Sequence, residues 1–97
     1  MFRIDFTPDA RDELKAFRKY EQQQIIEGIE DQLAYQAAQE TRNRKRLRPN
    51  RLAEWELRVG TFRVFYDIDE DNLRVMIEAV GQKLGNKLFI HGDEYHL

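Results

Sequence analysis

Ninety-seven residues suffice for one small domain, residues 1–97, and are too few for separate cofactor-binding and substrate-binding halves. Hydrophobic residues make up 41% of the chain, enough for one thin core, while 35% charged residues imply a largely ionic surface. Cysteine is absent, which excludes disulfides, thiolate metal sites and thiol nucleophiles. No run approaches the roughly 20 apolar residues of a membrane span, and the N-terminus carries no signal-peptide apolar stretch. The expected location is the cytosol, with no membrane association.

Phe2, Ile4 and Phe6 alternate with Arg3 and Asp5, which predicts a half-buried first strand. Thr7-Pro8-Asp9 then starts a helix, with Thr7 as N-cap and Pro8 at the first helical position. Ala10, Leu14 and Phe17 form its apolar stripe, and Ile25, Ile26, Ile29 and Leu33 form that of a second helix. A break near Lys19–Glu21 makes the two a helical hairpin, and Gly28 suggests a close approach between them. The second helix fades between Tyr35 and Glu40.

From Leu52 the period changes to two. Trp55, Leu57 and Val59 point one way, and Phe62, Val64, Tyr66 and Ile68 continue the pattern after Gly60-Thr61. A two-residue turn pairs Val59 with Phe62, Leu57 with Val64 and Trp55 with Tyr66. A second turn at Asp69–Asn72 predicts Ile68 beside Leu73, Tyr66 beside Val75, Val64 beside Ile77 and Phe62 beside Ala79. The resulting class is α+β, order β-α-α-β-β-β, with the helical hairpin on one face of a mainly antiparallel sheet. Residues 81–97 read as a loop and an apolar-charged tail.

The other sheet face is then open, with rows Arg58–Arg63–Glu78, Glu56–Phe65–Met76 and Glu54–Asp67–Arg74. Arg58 opposite Arg63 places like charges together, which destabilises a sheet unless something offsets it. The pair is either part of an exposed ion-pair ladder or a seat for a phosphate group. Phe65 is either covered by the tail or another chain, the favoured reading, or free to stack a nucleobase.

The net charge is only −2, but Arg42–Arg51 holds six cations and no acid, leaving the remainder at −8. Such a block is a solvated loop or an interaction patch, and arginine forks match phosphate oxygens. Arg44, Lys45, Arg46, Arg48 and Arg51, with Arg58 and Phe65, form the candidate RNA-binding set. His91, Asp93, Glu94 and His96 match no zinc-site spacing, so neither metal nor cofactor is expected. His91 and Tyr95 are instead candidate acid–base groups.

The stretch Arg46-Leu47-Arg48, then Trp55-Glu56-Leu57-Arg58-Val59-Gly60-Thr61-Phe62-Arg63-Val64-Phe65-Tyr66-Asp67, resembles the RelE/ParE superfamily of bacterial toxins. Val80-Gly81-Gln82-Lys83 resembles that family's closing Val-Gly-x-(Arg/Lys) motif, and the element order matches along nearly the whole chain. The resemblance implies the toxin half of a type II toxin–antitoxin pair, with a cognate antitoxin as partner. One branch of the superfamily cleaves mRNA on the ribosome without metal, and another poisons DNA gyrase without cutting nucleic acid itself. The expected activity is mRNA cleavage; the alternatives are gyrase inhibition or a degenerate member retaining only antitoxin binding. Arg63 and Lys83 align with the family's phosphate-stabilising cations. Glu54 and Glu56 stand where nuclease members carry lysines, and Phe89 falls near their tyrosine. Glu56, His91 and Tyr95 are left as the candidate acid–base residues.

Overall fold

A computed structural model describes residues 1–97. Strand β1 (Arg3–Phe6) leads into helices α1 (Pro8–Lys15) and α2 (Lys19–Leu33). They are followed by β2 (Arg44–Arg46), β3 (Trp55–Val59), β4 (Phe62–Asp69), β5 (Arg74–Leu84), β6 (Lys87–Ile90) and β7 (Asp93–Tyr95). The sheet runs β2-β3-β4-β5-β6-β7 with antiparallel neighbours, and β1 lies parallel to β5. The expected α+β frame is therefore present, extended by three short strands within the basic block and the supposed tail.

Local chemistry explains the helices. The Thr7 hydroxyl accepts the Ala10 N–H, and Pro8 occupies the first turn, where its missing N–H costs nothing. The break falls at Ala16–Arg18, slightly before its expected place, and the Glu21 carboxylate accepts the Arg18 N–H at the start of α2. Gly28 approaches β3 rather than the other helix: a Cβ there would lie 2.7 Å from a Val59 methyl. The end of α2 is fastened from below. Arg44 donates to the carbonyls of Gln32 and Gln39, Tyr66 donates its hydroxyl to Ala37, and Phe2 donates its N–H to Ala34. The Gln32 carbonyl at the helix end is thus satisfied by a cation, which the helix dipole favours, and the turn carbonyls beyond it by the same cation, a phenol and a backbone N–H.

Trp55, Leu57, Val64, Tyr66, Val75 and Ile77 join Leu14, Ile25, Ile29 and Leu33 in one core, with Phe17 packed against it. The β3–β4 register is as the turn chemistry predicts, Val59 with Phe62 through Trp55 with Tyr66, whose rings stack at 5.9 Å. The β4–β5 register differs. Leu73 is not a strand residue but a turn residue at φ 50°, so Ile68 pairs with Val75 and Tyr66 with Ile77. A bulge between Phe65 and Tyr66 then advances β5 by one more residue, pairing Phe65 with Ala79, Val64 with Val80 and Phe62 with Gln82.

That bulge gives the sheet a second core. Phe65 is fully buried with Ala53, Ala79, Leu88 and Ile90, while Leu47 and Leu52 pack at its rim. Of the two expected covers, the tail and another chain, the tail supplies Leu88 and Ile90 over Phe65, and the buried ring is not open to stack a base. Replacing Phe65 by Ala should cost about 3–5 kcal/mol in urea unfolding. A loss below about 0.5 kcal/mol, the size of an ordinary surface change, would put the ring back on the surface.

Candidate functional site

Strand alternation assigns Glu56, Arg58, Arg63, Gly81, Lys83 and Tyr95 to the face opposite the helices. Arg58 does face Arg63, but Gly81, not Glu78, is the β5 neighbour of Arg63. The bulge moves Glu78 away, and the expected row ending in Glu78 is corrected accordingly. Glu56 lies diagonally from Arg63 on one side and Lys83 on the other, spacings of roughly 7–8 Å between backbones. Lys83 pairs across β5–β6 with Leu88, which pairs with Tyr95, so the tyrosine stands two strands further out.

Arg63 is 8% exposed. Its Nη1 donates to the carbonyls of Gly60 and Phe62, both at 2.9 Å, which turns the guanidinium toward the β3–β4 turn. Nε is enclosed without any acceptor. Burial lowers the pKa of the group, Glu56 raises it and Arg58 lowers it further. An arginine nonetheless keeps its charge, so the face holds a buried cation with unused donors and one nearby carboxylate.

The basic block divides into different roles. Arg44 is 3% exposed and its guanidinium donates only to neutral oxygens of Gln32, Gln36 and Gln39. It is a fastening for α2 and is removed from the RNA-binding set. Arg46 is exposed, paired with Glu54 at 3.3 Å and set over the Trp55 ring at 6.0 Å. Lys45, Arg48 and Arg51 are exposed without ion pairs. The loop bearing the last two is held by Asn50, whose side chain accepts from Leu52 and Ala53 and donates to the carbonyls of Arg48 and Ala53. Residues 46–54 and Asp67 line a cavity of about 520 Å³. The block therefore combines one buried fastening, Arg44, with exposed cations on a loop whose backbone Asn50 holds.

Two expected groupings are not formed. His91 sits at φ 57° in the β6–β7 turn and faces the helical side, its Nδ1 3.9 Å from Glu13, so it does not join Arg63. Arg74 lies opposite Asp69 and 3.8 Å from Asp5, not beside Asp67. No three His, Asp or Glu side chains converge as a metal would require. Asp67 instead meets Glu78, a contact hidden from the sequence because it depends on the bulge. Burial, then a hydrogen bond and repulsion from Asp67, push the Glu78 carboxyl up to about 7.

Residues 4–84 match the family described as ParE toxin of type II toxin-antitoxin system, parDE. The toxin–antitoxin complex RelBE2 from Mycobacterium tuberculosis contains a chain 26% identical, with TM-score 0.73, covering 84% of this chain and 98% of that one. A chain in the archaeal RelE–RelB complex from Pyrococcus horikoshii OT3 is 19% identical with TM-score 0.66, covering 87% and 96%, and shares the fold. No protein of curated function matches the sequence.

The Asp67–Glu78 pair has a measurable consequence. A carboxyl whose folded pKa lies above its unfolded value favours the protonated state on folding. The stability it contributes is present at acid pH and is lost as pH rises from the ordinary carboxylate range through about 7. Glu78→Gln should melt near wild type at about pH 5 and above it at about pH 8. A melting difference that does not grow across this interval would place the two carboxyls apart.

Proposed function

The chain belongs to the ParE toxin family of type II toxin–antitoxin systems, and on that premise we propose that it inhibits growth by cutting mRNA on the ribosome. The observation that carries this reading is the buried, incompletely bonded Arg63 between Glu56 and Lys83, beside an ordered rim of exposed cations. Lys45, Arg48, Arg51 and Arg58 supply phosphate contacts, which position a strand without reading its sequence.

In the reaction, the Glu56 carboxylate takes the proton of a ribose 2′-hydroxyl, and the 2′-oxygen attacks the adjacent phosphorus. Arg63 stabilises the charge that collects on the phosphoryl oxygens, because its remaining donors are fixed before the reaction begins. The P–O5′ bond breaks and Lys83 gives the leaving oxygen a proton. The products are a 2′,3′-cyclic phosphate and a 5′-hydroxyl. Tyr95 lies further along the same face as a second proton donor for longer substrates. His91 has no part, since it faces the helical side.

The RelBE2 structure is a toxin–antitoxin complex, and the archaeal one is a RelE–RelB complex. The corresponding partner here is a cognate antitoxin that covers the cationic rim with acidic and apolar side chains and folds as it binds. The rival target is DNA gyrase, favoured by the family match and by Glu54 and Glu56 standing where lysines are expected.

The test is induction in a bacterium followed by mapping of RNA ends. Wild type should produce new ends inside translated regions, and Arg63→Ala should reduce them by about 10²–10³, the cost of losing one fixed transition-state donor. Arg74→Ala, at the far end of β5, should cut normally, and melting of both variants separates lost activity from lost folding. A folded Arg63→Ala variant that still cuts would remove Arg63 from the mechanism. Intact transcripts accompanied by DNA damage would transfer the activity to gyrase.

A further inference from the structure

A second cavity, of about 420 Å³, opens on the helical side between α1 and the outer end of the sheet. Phe17, Phe89, Leu84 and Val80 give it apolar walls, and Glu13 and His91 are its ionisable members. Glu13 is 9% exposed, which is unusual for a carboxylate on a short amphipathic helix. One oxygen, Oε1, accepts the Val80 N–H at 2.8 Å. The other, Oε2, accepts no hydrogen bond; His91 Nδ1 lies 3.9 Å from it, beyond hydrogen-bonding distance.

The backbone contact accounts for a polar group at this position but not for its charge. β1 pairs with β5 as far as Ile77, and the pairing of β5 with β6 begins only at Gln82, so the intervening edge of β5 needs side-chain partners. Thr7 fills part of that gap through the Glu78 carbonyl, and Glu13 fills the rest through Val80. A glutamine would accept the same N–H without a buried charge. Burial, with Asp9 and Asp12 nearby, raises the Glu13 pKa, while the Val80 N–H and His91 act against it. The protein therefore holds an acidic group, with one free oxygen, at the foot of an apolar cavity.

We propose that this cavity binds a small organic cation, an ammonium group carried on an aromatic or branched aliphatic body. The ammonium would donate to Glu13 Oε2, a charge-assisted hydrogen bond in a poorly solvated setting, while the body fills the space between Phe17 and Phe89. His91, 62% exposed at the rim, borders the entrance. The cavity lies across the sheet from Arg63, so this binding is independent of the proposed RNA chemistry.

The experiment is an amide-resonance titration of the full chain with 2-phenylethylammonium, and with phenylacetate as an anion of similar shape. The cation should shift the Val80, Phe89 and Gly92 amides saturably, and phenylacetate should not. Glu13→Gln, which keeps an acceptor for Val80, should weaken the cation by about tenfold or more, the worth of one charge-assisted contact. Equal binding of the two probes, no saturation by the cation, or unchanged affinity in a folded Glu13→Gln variant would each overturn the proposal. The comparison of probes on wild type stands even where the variant does not fold.

Discussion

One extra residue in β5 organises the molecule. Pleat alternation in β4 sends Tyr66 into the helical core and Phe65 into a second core, and the bulge lets β5 place Ile77 and Val80 on the helical side and Ala79 beside Phe65. It also sets Gly81 opposite Arg63. A Cβ at that glycine would lie 2.6 Å from the Phe89 carbonyl and 2.8 Å from Ile90, so only glycine lets β6 close over this region. The same insertion brings Glu78 to Asp67 and leaves the Val80 N–H to Glu13. Three separate sites thus rest on one irregularity of the backbone.

Burial then decides which charged residues keep their surface roles. Arg44 and Arg63 both leave solvent, but their environments differ. Arg44 spends its donors on the end of α2, as a cation at a helix C-terminus should. Arg63 spends one nitrogen on a turn and keeps Nε unpaired, which costs free energy unless another function compensates. The exposed arginines of residues 48–51 are held in place by an asparagine rather than by acidic partners, so their positive field stays available.

Much of this fold was legible because its local and long-range signals agree. Thr7-Pro8 marks a helix start that the structure uses, and Gly60-Thr61 fixes a hairpin register that five residue pairs confirm. The unread parts lack such agreement. Leu73 looks like a strand residue but occupies a left-handed turn position, and the Asp69 side chain caps the Asn72 N–H ahead of it. Ala79 and Val80 are both small and apolar, so no alternation shows which of them follows a bulge. Leu88-Phe89-Ile90 is an apolar run without alternation because it packs on both faces. Within the candidate site, the shared face of Arg63, Glu56 and Lys83 was readable from alternation, whereas the burial of Arg44 and Phe65 required the long-range partners. The turn of His91 toward Glu13 depends on β6 and β7, which the charged tail concealed.

The most direct test of the proposed chemistry is a reconstituted one. The purified chain is added to ribosomes carrying an end-labelled mRNA in the presence of a metal chelator, and the RNA ends are analysed. The expected result is cleavage at the ribosome with 2′,3′-cyclic phosphate and 5′-hydroxyl termini, lost in the folded Arg63→Ala protein. Intact mRNA under these conditions, with inhibition of purified DNA gyrase by the same preparation, would contradict it.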